Sequence, residues 1–567
     1  MLNTERRYDA IVIGSGPAGS TAVKELTERG LEVLLLEAGR ELREEDFEPF
    51  HPRKVAAMGM DLAARASAMM AGQFTQARRP YFSAKANRFL VSDIENPYTT
   101  PLNRPYLWIR SKLLGGRMHS YGRVLQRMSD VDFHAASHDG YGYDWPVDYA
   151  DLASWYDRVE DFVGVYGDAD GLVHPPDGHY VGPGFLTRVE RDFQRAVEGR
   201  WPERRVISWR YQAPFLDRVP PGIAAARATG RLTIRTDAMV SRIVTDPRSG
   251  LATGAVFVDR NTRREHRAFA DSVVVCASAI ESIRLLLNSG SSAHPDGLGN
   301  SSGTLGRYFM DQTISVGFFD SPKHPGVWDS DHTAPDDPFY GASGGILIPR
   351  YENIERQEGD FLRGISFQGL GGRFPVPEGH PAAFGLGGAG EMLARYDNAV
   401  SLSRLTDRWG VPLPHIDLSM GDNDRKLLRR TMVALREMAD EAGLRVNFIG
   451  SAAGLDSRRV WPDFNPVQRL IFKQGIKMSL TLGAAIHECG GARMTDDPAL
   501  GVTNGVGQLW DAPNVFVADA ATFVSGSTVG PALTIMALAA RTSAFVARSH
   551  ADGSLNRPTG AVTDWRE

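Results

Sequence analysis

The chain has 567 residues, more than one ordinary hydrophobic core organises, so two or more domains are expected. Its net charge of -5 is spread over interspersed signs, which leaves no basic face for nucleic acid and no charged tail. No apolar run reaches the roughly 18 residues that cross a bilayer, and Cys276 and Cys489 form neither a CxxC nor a metal-ligand cluster; the expectation is a cytoplasmic protein with no membrane partner, no metal and no redox-active dithiol.

The stretch from Tyr8 to Gly39 reads YDAIVIGSGPAGSTAVKELTERGLEVLLLEAG. Ala10 to Ile13 and Leu31 to Leu36 are short apolar runs of the kind buried on both faces of a parallel sheet, with a helix between them. Gly14, Gly16 and Gly19 have the GxGxxG spacing: the first permits a tight turn, the second lets backbone approach a pyrophosphate, and the third lets helix pack on strand. Glu37 stands 18 residues past Gly19, where a carboxylate accepts hydrogen bonds from a ribose diol and repels a 2′-phosphate. Glycines can serve a turn alone, but strand, turn, helix, strand and acid arrive here in register, which predicts a site for NAD or FAD. Arg6-Arg7 hints at an export signal, yet the apolar run behind it carries these glycines and is expected to be folded.

Lys54 to Met70 places alanines and methionines at helical spacing and predicts a packing or oligomer-contact helix. Three prolines make Asn96 to Arg110 extended. In the following Lys112 to Arg123, paired glycines at 115 and 116 allow backbone to lie flat on a planar ring, and Arg117 and Arg123 suit a phosphate or an anionic ring; a surface turn is the plain alternative. Tyr149 to Val163 reads as a helix with Trp155, Val159 and Phe162 on one face. Asp168 to Arg231, rich in Gly and Pro, reads as a loop-rich excursion. Short β-type runs return at Leu232 to Ile234, Val240 to Val244, Gly254 to Val258 and Ser272 to Val275, the last leading through small residues into a helix. Thr313 to Phe319, Gly345 to Ile348, Gly364 to Leu370, Ala399 to Leu405 and His415 to Ser419 are strands without intervening helices, hence a mostly antiparallel sheet in a second domain, which the amphipathic Asp422 to Gly443 helix would cover.

The last quarter runs LGAAIHECGGARMTDDPALGVTNGVGQLWDAPNVFVADAATFVSGSTVGPALTIMALAAR from Leu482 to Arg541. Together with the blocks Tyr8 to Gly39, Gly115 to Arg123 and Ser272 to Gly290, this text resembles the glucose-methanol-choline (GMC) oxidoreductases, FAD enzymes that oxidise alcohols, and within them a bacterial branch similar to sugar and glycoside 3-oxidising enzymes and pyranose oxidases. The resemblance implies an α/β protein: a Rossmann-type FAD-binding domain of the GMC and p-hydroxybenzoate hydroxylase kind, interleaved with an α+β substrate domain built on the antiparallel sheet. It would assign 1–45, 96–130, 231–312 and 481–550 to FAD binding, 131–230 and 313–480 to the substrate, and 46–95 to an insertion that is a candidate homo-oligomer contact.

Carried over residue by residue, the resemblance implies FAD contacts at Gly14, Gly16, Ala18, Gly19, Glu37 and Ala38 in the first block and at Arg117, Met118 and Ser120 in the second. Val240, Ala277, Asp519, Ala520, Gly530 and Pro531 complete the set, the helix after Pro531 aiming its positive end at the flavin. FAD is expected to be noncovalent, because the histidine that attaches it in some relatives aligns with Ser120. His487 stands at the family's catalytic histidine, and an imidazole suits removal of a hydroxyl proton, although a histidine in a turn can be merely structural. The family's second Asn or His is replaced by Gly530, so His487 would act alone, with water, or with Ser527 or Thr528.

The implied activity is oxidation of a CH–OH group of a sugar, glycoside or aminosugar to a carbonyl, with hydride passing to flavin and electrons then to dioxygen or another acceptor. Trp409, Trp145 and Tyr121 would either stack on a sugar ring or pack in cores. A non-redox lyase of the same fold with structural FAD is the alternative that Gly530 keeps open, and a disulfide reductase or NAD enzyme is disfavoured by the missing CxxC.

Overall fold

The molecule is known from a computed structural model that describes residues 6–47, 62–80, 82–326, 339, 343–373, 376, 379–456 and 465–560. The N-terminal apolar run forms the strand Arg7–Ile13 inside a seven-stranded sheet. It pairs in parallel with Val33–Leu36 on one side and Glu265–Val275 on the other. Leu232–Arg235 and Val515–Val517 extend this parallel centre, and the antiparallel strands Ala252–Asp259 and Ala238–Thr245 complete the sheet. Ala10, Ile11, Val12, Leu34 and Leu35 are wholly buried, as a doubly covered strand requires. The helix Pro17–Glu28 packs on the C-terminal helix Ala532–Ala551 and on Pro221–Ala228, so the first and last segments of the chain share one core. At about 1.5–3 kcal/mol for each large aliphatic side chain buried, this cluster is a main stabiliser of the first sheet and the helices on it.

A second sheet of seven strands is antiparallel throughout, in the order Gly454–Asp456, Arg445–Ser451, Gln312–Pro325, Pro381–Glu391, Ile365–Gly371, Ile346–Ile348, Ile207–Ser208. Phe319, Phe367 and Phe384 project from one face into a core closed by Leu427, Ala434, Leu435 and Met438 of the helix Asp422–Glu441. Residues of opposite parity, Ile314, Val316 and Phe318 among them, face the other way and line a large cavity between the two sheets.

Three expectations change. Pro381–Glu391, PAAFGLGGAGE, is a central strand that its glycines hide from any propensity argument, and pairing on both edges overrides that weakness. Ala399–Thr406 and Pro412–Asp417 form a separate two-stranded ribbon rather than part of the antiparallel sheet. The excursion from Asp168 to Arg231 contains the helix Arg188–Arg200, whose start carries a capping box: Thr187 Oγ1 accepts the Glu190 N–H and the Glu190 carboxylate accepts the Thr187 N–H. Within the helix expected over 54–70, Leu62–Met70 is helical and 54–61 lie outside the described residues. No helix among the described residues is long and apolar enough to cross a membrane.

Candidate functional site

One continuous cavity of about 650 Å³ runs from Glu37 and Ala38, past Gly14, Gly16 and Ala18, to His487 and Gly530. Its first end is built by chain crossings. Gly14 holds φ at 95° and a side chain there would stand 2.4 Å from the Cys276 carbonyl oxygen, so the turn is confined to glycine by both conformation and space. Gly16 is different: among the described residues a Cβ built on it meets no atom within 4 Å beyond its chain neighbours, and it lines the cavity at the helix start. Ser15, between them, donates its hydroxyl to Glu37 at 2.5 Å and accepts the Gly115 N–H at 2.9 Å, tying the GxGxxG turn to the Gly115–Gly116 turn. Glu37 also accepts N–H groups from Ser15 at 3.1 Å and Gly39 at 2.7 Å. Burial raises the pKa of this carboxyl against those hydrogen bonds. With about four acceptor positions on a carboxylate, three are used and one is left open.

At the other end His487 is half-buried and follows Ile486, a β-branched residue at φ 64°. Such a backbone costs on the order of 1–3 kcal/mol and persists only where the surroundings impose it. The imposing contacts are the His487 N–H donated to Asp311 at 3.0 Å and the ring Nδ1 placed 2.6 Å from Gln312 Oε1. Gln312 has no freedom to present its nitrogen instead, because Nε2 donates to the Ser527 and Val529 carbonyls at 2.9 and 3.0 Å. Its oxygen therefore faces the ring, Nδ1 carries the hydrogen, and Nε2 keeps a lone pair. A Cβ on Gly530 would lie 3.7 Å from that Nε2, and both residues line the cavity, so the lone pair is presented beside the opening helix Ala532–Ala551. Burial, with a smaller push from the Arg117 cation, holds His487 down to about 4.

Charged groups stand behind the ring. Arg117 Nη2 is 2.8 Å from Glu488 and donates to Ser278 Oγ at 3.2 Å. Asp311 accepts the Gln312 and His487 N–H groups, and burial followed by the neighbouring Glu488 pushes its pKa up to about 7. Asp519 is occupied by the Ser278 and Ala521 N–H groups and the Ser282 hydroxyl, and burial pushes it up to about 6.

Of the residues singled out from sequence, Gly14, Gly16, Ala18, Glu37, Ala38, Arg117, Ser120, Val240, Ala277, His487, Asp519, Ala520, Gly530 and Pro531 all line this one cavity. Gly19 and Met118 stand behind its wall: a Cβ on Gly19 would be 1.8 Å from the Gly14 oxygen, and Met118 Sδ takes the Ser20 hydroxyl at 3.6 Å. Ser527 and Thr528 do not line it, and the Ser527 hydroxyl is spent on Asp132. Tyr121 lines the cavity, whereas Trp409 packs on Met239 and Val411, and Trp145 donates to Ser525 inside the main core. His119 donates to or accepts from nothing in the cavity; its Nε2 is 2.8 Å from the Leu114 carbonyl. Sequence reasoning missed Gln312, Ser15 and Asp311. Asp311 and Gln312 close the phrase NSSGTLGRYFMDQ, but an amide beside a strand start carries no signal of its own.

Replacing Gln312 with Met removes the acceptor for Nδ1–H and frees the ring to turn. The expected result is a loss of kcat of about tenfold to a hundredfold with KM little changed, since small misplacements of a base cost that much; steady-state kinetics on the folded variant checks it.

The residues also group as those of known proteins do. Residues 223–314 and 394–539 match the models of the GMC oxidoreductase domains, and 12–46 match an NAD(P)-binding Rossmann-like domain. The chain is 26% identical to 2-methyl-1,2-propanediol dehydrogenase of Mycolicibacterium austroafricanum over 100% of its own length and 99% of the relative's. It is 27% identical to paromamine 6′-oxidase of Streptomyces fradiae, covering 96% of this chain and 92% of that one. The structure of formate oxidase from Aspergillus oryzae, solved in a study of FAD modification, has the same fold at 14% identity, with a TM-score of 0.64 over 97% of this chain and 100% of that one.

Proposed function

From the premise that the chain belongs to the GMC oxidoreductase family, by the two domains of that family it carries, we propose that it binds FAD and oxidises a CH–OH group of an alcohol, sugar or glycoside to a carbonyl, with His487 as the base. What supports this most is the fixed tautomer of His487, whose unprotonated Nε2 opens on the cavity. The cavity fits the cofactor: Gly16 offers an unobstructed backbone at a helix start, Glu37 keeps an acceptor position, and the same space reaches His487. FAD bound there supplies an acceptor for the hydride that leaves the carbinol carbon.

The protein's own part is proton handling and placement. Nε2 takes the hydroxyl proton, and the imidazolium so formed keeps its Nδ1–H on Gln312. Gln312 cannot follow the proton because both its amide hydrogens are held. The N-terminus of Ala532–Ala551, where Pro531 and Ala532 line the cavity, stabilises negative charge that develops nearby. The same reading gives 1–45, 96–130, 231–312 and 481–550 to FAD and 131–230 with 313–480 to the substrate.

The test is to purify the protein, record its flavin spectrum, and add alcohols, sugars and glycosides without oxygen. Bleaching by any of them supports the reading. Bound flavin that no alcohol or sugar bleaches would favour a non-redox lyase instead. Gly530→Asn is a second check: its Cβ finds ordinary contacts of 3.7 and 3.8 Å at His487, and the added amide gives a small substrate's hydroxyl a second partner. We expect kcat for a small alcohol to rise by about tenfold, below the 10²–10³ of a full oxyanion donor.

A further inference from the structure

The wall of the cavity opposite the nucleotide sheet is a patterned surface. In the antiparallel sheet, Ala389 lies across from Ile314, Gly387 from Val316 and Gly385 from Phe318; on the other edge Gln368 faces Gly387 and Leu370 faces Gly385. Side chains of one parity share a face, so these residues form a trough: a floor of Gly385, Gly387 and Ala389 between a rim of Ile314, Val316 and Phe318 and a rim of Gln368 and Leu370. All eight line the cavity that also contains His487 and Gly530.

The chemistry of the trough is one-sided. Ile314, Phe318 and Leu370 are only half-buried, leaving apolar surface for an occupant to cover. The described carboxylates of the cavity all lie elsewhere and are engaged: Glu37 by Ser15 and Gly39, Glu281 by Arg284 and Lys112, Glu488 by Arg117, and Asp519 by Ser278 and Ser282. Among the described residues no acid faces an ammonium in the trough, and an unpaired buried cation is strongly disfavoured. A free sugar fares little better in the trough itself, because its ring of hydroxyls would lie against Ile314, Phe318 and Leu370, and Gln368 is the polar side chain among the eight trough residues.

We propose that this trough takes the uncharged, apolar body of the substrate, a ring or branched alkyl group, with the hydroxyl-bearing carbon at His487; the substrate class is an apolar neutral alcohol rather than an aminosugar or free sugar. This rests on the reading of His487 as the base of an alcohol oxidation.

The experiment has two arms. In the first, anaerobic bleaching of the flavin is followed with cyclohexylmethanol, glucose and glucosamine. The expected second-order rate constant of bleaching by cyclohexylmethanol exceeds those for both sugars by at least tenfold; a smaller margin over either sugar overturns the proposal while leaving alcohol oxidation standing. In the second, calorimetry follows binding of cyclohexylmethyl methyl ether, which has no hydroxyl to oxidise. Phe318→Ala and Leu370→Ala, half-buried rim truncations, should each weaken that binding about tenfold. Unchanged ether binding in both variants overturns the trough assignment even if no alcohol is oxidised.

Discussion

His487→Ala is expected to slow anaerobic bleaching by a saturating alcohol by about 10²–10⁴-fold, the range of a positioned general base. The flavin should stay bound, because the residues gathered at the Glu37 end of the cavity are untouched. The unmutated protein carries the complementary signature. Only the neutral ring can accept a proton, and the structure holds His487 down to about 4 through burial and then Arg117. As pH falls, kcat/KM should therefore stay level past 6.5, the value of an ordinary histidine, and be lost as pH passes through about 4. An acid limb near 6.5, or a variant that bleaches at the parent rate, would remove His487 from the chemistry.

A paired substitution in the first turn has an effect of similar size by a different route. A Cβ at Gly19 lies 1.8 Å from the Gly14 oxygen, so Gly19→Ala forces the helix Pro17–Glu28 away from the strand by well over an ångström. Overpacking at such a site costs about 1–3 kcal/mol or more. The expected product is a flavin-free protein with a lowered Tm. Gly16→Ala places its methyl where, among the described residues, none beyond its chain neighbours has an atom within 4 Å. It should leave the Tm of the flavin-free protein unchanged while weakening flavin retention. Absorbance of the purified proteins and thermal melts check both, and equal behaviour of the two variants would contradict the assignment of open cradle at Gly16 and packing at Gly19.

The legible parts of the molecule were those written in short-range patterns. The helix Tyr149–Val163 and the buried strands around Ile11 and Val274 follow from periodicity alone, since burial of one stripe or two faces leaves its mark on neighbouring residues. The Arg188–Arg200 helix is equally written in the capping pair Thr187 and Glu190, although it lies in a stretch rich in Gly and Pro. Pro381–Glu391 was not legible, because its strand is held by partners on either edge, and a side chain at Gly388 or Gly390 would run into Thr431 or Thr313 from distant segments.

By itself, then, the sequence determined that a dinucleotide turn opens the chain and that a histidine precedes a glycine-rich turn near its end, since both are local spacings. Which nitrogen of that histidine is free, and what surface faces it, only the tertiary structure decided. Gln312 reaches the ring from 175 residues away, and its orientation is fixed by carbonyls at 527 and 529. The direction of a hydrogen bond is set by every group around the donor at once, and chain folding alone brings those groups together.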